Sequence, residues 1–227
     1  GVSGIVQCEI DIESGEKLTP SKTIWTGSGG RYLESPHMYK INGKYYLVAA
    51  EGGTEYGHMV TYARADSLYG KFEGYENNPV LTNRNLGGYE VQGVGHGDLI
   101  QDNYDNWWLL HLGFRQSGQW EAYHHLGREV FLTPVIFGED GWFTAGDNGR
   151  TTKSFEINYI NNDVIQKEKK HYTFENTKWD NDWCYLRIPN KKNYKLDKNK
   201  LILKGTDITL DDVDSPTFIG IRQRILR

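Results

Sequence analysis

The dipeptide Asn42-Gly43 constrains this chain more than any other short feature. It joins two runs of aromatic and aliphatic residues, MYKI before it and KYYLVAA after it. An Asn-Gly pair readily takes the positive φ angles of a two-residue hairpin turn, so residues 38–50 are predicted as an antiparallel hairpin. The same kind of unit recurs. In GDLIQDNYDNWWLLHLG the polar residues 101–106 separate two apolar runs, and in FLTPVIFGEDGWF the pair Asp140-Gly141 marks a turn. HMVTYARA, residues 58–65, alternates as a further strand. No segment before residue 160 keeps a helical period over three turns. Turn-plus-aromatic units begin at Asn42, Asp105 and Asp140, at unequal intervals, which describes a degenerate repeat with insertions. Pattern alone therefore predicts an all-β chain and leaves a propeller and a sandwich both open.

Composition removes several function classes. The 227 residues include 30 aromatics and no apolar run longer than a handful, whereas a spanning helix needs roughly 20, so no membrane partner is expected. The aromatic content is too high for a disordered chain. Net charge is −4, which gives no reason to expect a phosphate backbone as partner, so no nucleic-acid partner is expected. Cys8 and Cys184 lie in no metal-ligand spacing. The total hides a break in charge. Residues 1–160 carry 12 basic and 20 acidic side chains, and residues 161–227 carry 14 and 10. The switch falls in a polar stretch, and a boundary or linker is predicted near residues 156–174. Beyond it, WCYLRIPN, KLILKG and SPTFIGIRQR read as short strands between Lys/Asn-rich turns. They are too few for a full sandwich and would leave an unpaired edge.

Four residues stand out as candidates for chemistry. Glu34 precedes Pro36 at the entry to the first aromatic strand. Partial burial there would raise its pKa and hold a proton for general-acid work; the plain alternative is a solvated loop carboxylate. His96 lies between Gly95 and Gly97, which allow close backbone approach, and Asp98 beside it reads as a turn cap. Arg128 offers a planar fork to hydroxyls or a carboxylate, with an ion pair to Glu129 as the alternative. His124 and His125 would point to opposite faces of a strand, so shared metal coordination is not expected. In EGGTEYGH, Thr54 follows a Gly pair, but the helix start and Lys of a phosphate loop are missing; the segment reads as a loop that approaches a ligand closely.

Taken in order, ESPHMYKINGKYYLVAAEGGT, HMVTYARADSLYGKFEGYENNPVLT, GVGHGDLI, NWWLLHLGFR and LGREVFLTPVIF resemble glycoside hydrolase family 43, in particular its β-xylosidases and α-L-arabinofuranosidases. The likeness runs over residues 15–143. The tail, from FENTKWDNDWCYLRIPN to FIGIRQR, resembles the opening of the lectin-like, concanavalin-like β-sandwich that follows the catalytic domain in such enzymes. The resemblance implies a five-bladed β-propeller with its active site at one end of the axis. Residues 1–160 would then be late blade 2 to blade 5, and residues 161–227 the start of the sandwich. It implies Glu34 as general acid, in an EGPH-like motif that carries Ser35 in place of Gly, and Thr54, His96 and Arg128 as sugar-pocket residues. It implies inversion, with a base carboxylate roughly 6.5–9.5 Å from the acid. The base Asp and a second, pKa-tuning Asp would both lie upstream of residue 1, because Asp11 falls in a later strand than either.

The expected partner is a xylo- or arabino-oligosaccharide from hemicellulose, and no cofactor is expected. A structural metal near the axis would find its nearest ligand in His96. The missing blades imply a fragment, nearly or wholly inactive alone, with a homo-oligomer or the missing N-terminal half as the candidate protein partner. The resemblance fits a cytoplasmic or a secreted bacterial-type enzyme equally. The rival functions are a non-catalytic carbohydrate-binding protein and a protein-interaction propeller, of which the second needs neither a carboxylate at a strand mouth nor a pocket Arg.

Overall fold

A computed structural model describes residues 4–119, 123–157, 171–175, 178–179 and 181–221. Regular structure among them is all strand apart from one 3-10 turn at Lys191–Asn193. Among the described residues no helix is long and apolar enough to cross a membrane. The chain divides into two compact units, Gly1–Asn158 and Tyr159–Arg227. Most of the linker predicted near 156–174 lies outside the described residues.

The first unit opens with an antiparallel pair, β1 (Ile5–Gln7) and β2 (Lys22–Trp25). Two four-stranded antiparallel sheets follow. The first runs β3 (Glu34–Ile41), β4 (Lys44–Glu51), β5 (Met59–Ala65) and β6 (Glu73–Gly74), each strand beside the next. The second runs β7 (Val91–Gln101), β8 (Trp107–Arg115), β9 (Glu129–Phe137) and β10 (Phe143–Ala145) in the same manner. Asn42 and Gly43 take φ of +48° and +80° with Ile41 opposite Lys44, as the Asn-Gly pair requires. The polar residues after β7 form a turn organised by Asp102. Its carboxylate accepts from the amides of Tyr104 and Asn106 at 2.8 and 2.9 Å and from the Trp108 indole at 2.9 Å.

The main core lies where β4 and β5 meet β7, and holds Tyr46, Val48, Val60, Tyr62, Leu99, Leu109 and Phe143. A smaller core on the other face of the first sheet collects Ile24, Trp25, Leu47, Ala49, Ala63 and Phe72. β4 is thus covered on both faces, which is why YYLVAA lacks the alternation of a half-exposed strand. Two tyrosines tie the sheets together. The Tyr62 hydroxyl donates to the Phe143 carbonyl and accepts from its amide, both at 2.8 Å, with the rings stacked at 3.9 Å. Burial pushes this phenol's pKa far up, so it remains a donor at any ordinary pH. Tyr46 donates to the Gly141 carbonyl at 2.6 Å, so the turn at Asp140-Gly141 serves as a docking point between sheets.

The second unit has two short antiparallel pairs. β11 (Trp183–Tyr185) pairs with the later β14 (Ile219–Ile221), and β12 (Tyr194–Asp197) with β13 (Lys200–Leu203). β12 falls in a stretch that reads as turn. Its partner is set by Lys198-Asn199, both at positive φ, a two-residue turn with Asp197 opposite Lys200. WCYLRIPN keeps strand geometry only over its first three residues, since Arg187 turns to φ +55° and donates to the carbonyls of Leu210 and Asp214. Trp179, Tyr185 and Tyr194 pack edge to face. Among the described residues of this unit only Pro216 is buried.

Candidate functional site

β3 and β7 are the terminal strands of their sheets and approach each other side chain to side chain. Both are bulged where they do so. In β3 the register slips between Glu34 and His37, and in β7 it slips on either side of Gly95. A bulge adds a residue and re-aims its side chain. Ser35 and His96 occupy these irregular positions at φ +52° and +54°. A left-handed conformation at a non-glycine residue costs of order 1–3 kcal/mol and persists only where surrounding structure imposes it. Here the two residues meet, Ser35 Oγ lying 3.3 Å from His96 Nδ1.

Two residues further along each strand the contact continues. His37 Nδ1 lies 2.9 Å from Asp98 Oδ1, and the Tyr39 hydroxyl donates to the same oxygen at 3.2 Å while accepting from the Leu99 amide at 3.0 Å. Burial, with the Asp98 charge adding to it, pushes the Tyr39 phenol up to about 12. Asp98 therefore joins two strands and caps no turn. Residues 35, 37 and 39 share one face of β3, and residues 96 and 98 one face of β7. Alternation on β3 groups His37 with Tyr39, but it does not say which strand that face will meet.

Close approach behind β7 depends on its glycines. A Cβ at Gly95 would sit 2.6 Å from His58 Nε2, and one at Gly97 would sit 2.9 Å from the Leu109 side chain. His58, 1% exposed, donates from Nδ1 to the Gly93 carbonyl at 2.9 Å, so Nε2 carries the lone pair; that atom is buried without a partner among the described residues. Burial is the main cause that lowers the His58 pKa. His96 and Arg128 push it the same way, while the Gly93 carbonyl and the Glu34 charge oppose. Beneath it, His111 donates to the Leu112 carbonyl and accepts from Thr133 at 2.9 Å, and Thr133 meets Thr151 at 2.6 Å. Burial lowers the His111 pKa to about 4. Both imidazoles are neutral at pH 7.

Glu34, His96 and Arg128 thus each act on the charge balance of His58. Their exposure differs from expectation in one respect. Glu34 is exposed, not half-buried, because it is the first residue of an edge strand and lies ahead of the bulge, outside the regular part of the ladder. Arg128 is also exposed. The alternative ion pair within Arg128-Glu129 gives way to a bidentate one, in which Arg115 Nε and Nη2 hold the Glu129 carboxylate at 2.9 and 2.7 Å. Thr54 is exposed after Gly52 and Gly53, both at positive φ, and takes no part in the Ser35–His96–Asp98 contacts. His124 and His125 precede β9 instead of lying in it, so strand alternation does not apply to them; His124 stacks on Phe114 at 4.5 Å. Among the described residues no group of three or more His, Cys, Asp or Glu is placed to hold a metal ion, at His96 or elsewhere.

A model of "Glycosyl hydrolases family 43" matches residues 1–143, and a model of "Beta xylosidase C-terminal Concanavalin A-like domain" matches residues 171–227. The chain is 36% identical over 216 residues to a non-reducing end α-L-arabinofuranosidase of Bacteroides ovatus, covering 94% of this chain and 40% of that protein. It is also 36% identical over 226 residues to a xylosidase/arabinosidase of Butyrivibrio fibrisolvens, covering 95% and 43%. Among solved structures, the xylan β-1,4-xylosidase of Bacillus halodurans superposes with a TM-score of 0.86 at 32% identity, over 97% of this chain and 42% of that one. The chain spans about two fifths of the length of these relatives.

Proposed function

The chain belongs to glycosyl hydrolase family 43, and from that premise we propose that it supplies the acid side of an inverting glycosidase acting on β-xylosides or α-L-arabinofuranosides. In this reading the two four-stranded sheets are blades of a five-bladed propeller. Residues 1–160 run from late blade 2 to blade 5, and residues 161–227 begin the sandwich. Glu34 protonates the departing sugar oxygen. His96 and Arg128 bind the sugar beside it, with Thr54 at the rim. The observation that supports the proposal is the meeting of two bulged strands at Ser35 and His96, next to Glu34, with the charges of Glu34, His96 and Arg128 all acting on the buried His58.

The chemistry of these groups fits that role. A general acid must reach the leaving oxygen, and a carboxyl at a bulged strand mouth is free to do so. A guanidinium offers paired donors to adjacent hydroxyls. The neutral imidazoles beneath add no positive charge to the site. Inversion also needs a carboxylate on the opposite face of the sugar to activate water, roughly 6.5–9.5 Å from the acid. On the family resemblance we place that group outside residues 1–227, in a chain extended upstream. General-base assistance is typically worth 10²–10⁴-fold in rate, so residues 1–227 alone are expected to turn over substrate at least a hundredfold more slowly than a chain extended upstream.

The experiment is an assay of both chains on aryl β-xyloside and aryl α-arabinofuranoside. Equal rates would overturn the placement of the base. Glycan binding without hydrolysis, even in the extended chain, would favour the carbohydrate-binding alternative.

A further inference from the structure

Glu51 closes β4 and is one of the most deeply buried acidic side chains, at 1% exposed. Its carboxylate is surrounded by donors from a different part of the chain. Oε1 accepts from the Ser28 amide at 2.7 Å, from the Ser28 hydroxyl at 3.0 Å and from Thr61 at 2.8 Å, and Oε2 accepts from the Gly30 amide at 2.5 Å. No Lys, Arg or His pairs with it among the described residues. Hydrogen bonds from amides and hydroxyls alone compensate its burial, which makes their loss costly. The clamped segment is shaped to receive it. A Cβ at Gly30 would sit 2.6 Å from Oε2 and one at Gly27 3.0 Å from Oε1. The next residue of β4's continuation adds a reciprocal tie. The Gly52 amide donates to the Arg31 carbonyl at 2.7 Å, and Arg31 Nε donates to the Gly52 carbonyl at 3.1 Å.

This clamp lies three to six residues ahead of Glu34. The position of Glu34 cannot be set from downstream, because the β3–β4 register breaks between Glu34 and His37. Glu34 is opposite Ala50, and the side chain that grips segment 28–30 belongs to the very next residue, Glu51. A buried strand thus measures out the entry to β3 from both sides of one peptide bond. We infer that Glu51 is the positioning residue of Glu34: it holds residues 28–31 against the end of β4 and so delivers the Glu34 carboxyl to its working place. Glu51 itself is sealed from solvent and touches no substrate. The inference rests on the general-acid reading given above.

The test has two readouts. The first is amide hydrogen exchange in this chain. Glu51→Gln keeps the shape but replaces an acceptor with a donor, so protection at Ser28 and Gly30 should fall at least tenfold while the β4–β5 ladder is unchanged. The second is turnover by the protein extended upstream. There Glu51→Gln should lower kcat roughly 10–100-fold on substrates with poor leaving groups, leave KM within twofold, and spare activated aryl glycosides. Added to Glu34→Ala it should cost nothing further. A purely structural role would lower both substrate classes together.

Unchanged protection at residues 28 and 30, equal losses on both substrate classes, or full additivity with Glu34→Ala would each overturn the inference. If Glu51→Gln fails to fold, Ser28→Ala removes one donor at an exposed position and should give the same pattern at two- to fivefold. Should Glu34→Ala leave poor-leaving-group turnover intact, the general-acid reading falls and the part of Glu51 in turnover with it. The exchange measurement then decides the clamp separately.

Discussion

The terminal strands β3 and β7 occupy equivalent ends of their sheets, and both are bulged with one non-glycine residue at positive φ. They achieve this with opposite materials. Around its bulge β3 is polar, with Glu34, Ser35 and His37, and its first residue is exposed. β7 alternates glycine with other residues over 93–97, and no side chain fits at those glycines without displacing His58, Leu109 or Phe114. One strand presents groups; the other makes room for what stands behind it. The difference teaches where each kind of damage should appear. Changes on β3 should alter turnover with the fold intact, and changes on β7 should cost stability first.

The largest expected effect is on β3. In the protein extended upstream, Glu34→Ala should lower turnover of poor-leaving-group substrates by about 10²–10⁴-fold, spare substrates whose leaving group needs no proton, and leave the melting temperature unchanged. Equal losses in both substrate classes would remove Glu34 as the acid.

The next effect concerns what β7 covers. His111 is protonated with a pKa near 6.5 in the unfolded chain and at about 4 in the fold, so below pH 6.5 the unfolded state binds the extra proton. Stability is full above that pH and falls as the pH drops towards 4, by roughly 3 kcal/mol for this residue at about 1.4 kcal/mol per pH unit. His58, also shifted down, adds in the same direction. Urea unfolding at pH 7, 5.5 and 4 measures it. A His111→Gln variant should lose most of the slope, and an unchanged slope would show that the acid sensitivity arises elsewhere.

Smaller still, Gly95→Ala should cost about 1–3 kcal/mol by overpacking against the His58 ring. Chemical denaturation reads this directly. A cost below about 0.5 kcal/mol would show that β7 yields as easily as β3, and the contrast would fail. Least of all, Ser35→Gly relieves a strained φ but gives up the 3.3 Å contact to His96 and adds freedom to the unfolded chain, so stability should shift by less than about 1 kcal/mol.

Much of the first unit is legible in its residues. The hairpin of β3 and β4 follows from Asn42-Gly43, the pairing of the end of β7 with β8 from the apolar runs around residues 101–106, and that of β9 with β10 from the turn at Asp140-Gly141. The start of β7 is not legible, because VQGVGHG contains the residues of a loop; it becomes a strand only through pairing with β8. The charged β12 was hidden for a similar reason. Glu34, His96 and Arg128 stand out through motif resemblance, but His37, Tyr39 and Asp98 do not. Their contacts join residues about 60 positions apart, and local pattern carries no information about which edge strands will face each other. Glu34 is exposed although aromatic residues stand close to it in sequence, because neighbours along a strand need not be neighbours in space: alternate side chains leave by opposite faces.

The Tyr62 hydroxyl finds its partner at Phe143, 81 residues later in the chain. A ribosome adding about 5–20 residues per second needs roughly 4–16 s to cover that distance. During that interval the first sheet emerges with Tyr46, Val48, Val60 and Tyr62 uncovered, and nascent-chain chaperones have their widest opportunity to bind there. Clusters of slow codons between positions 65 and 143 would lengthen that exposure and raise aggregation during synthesis, without altering one atom of the finished protein.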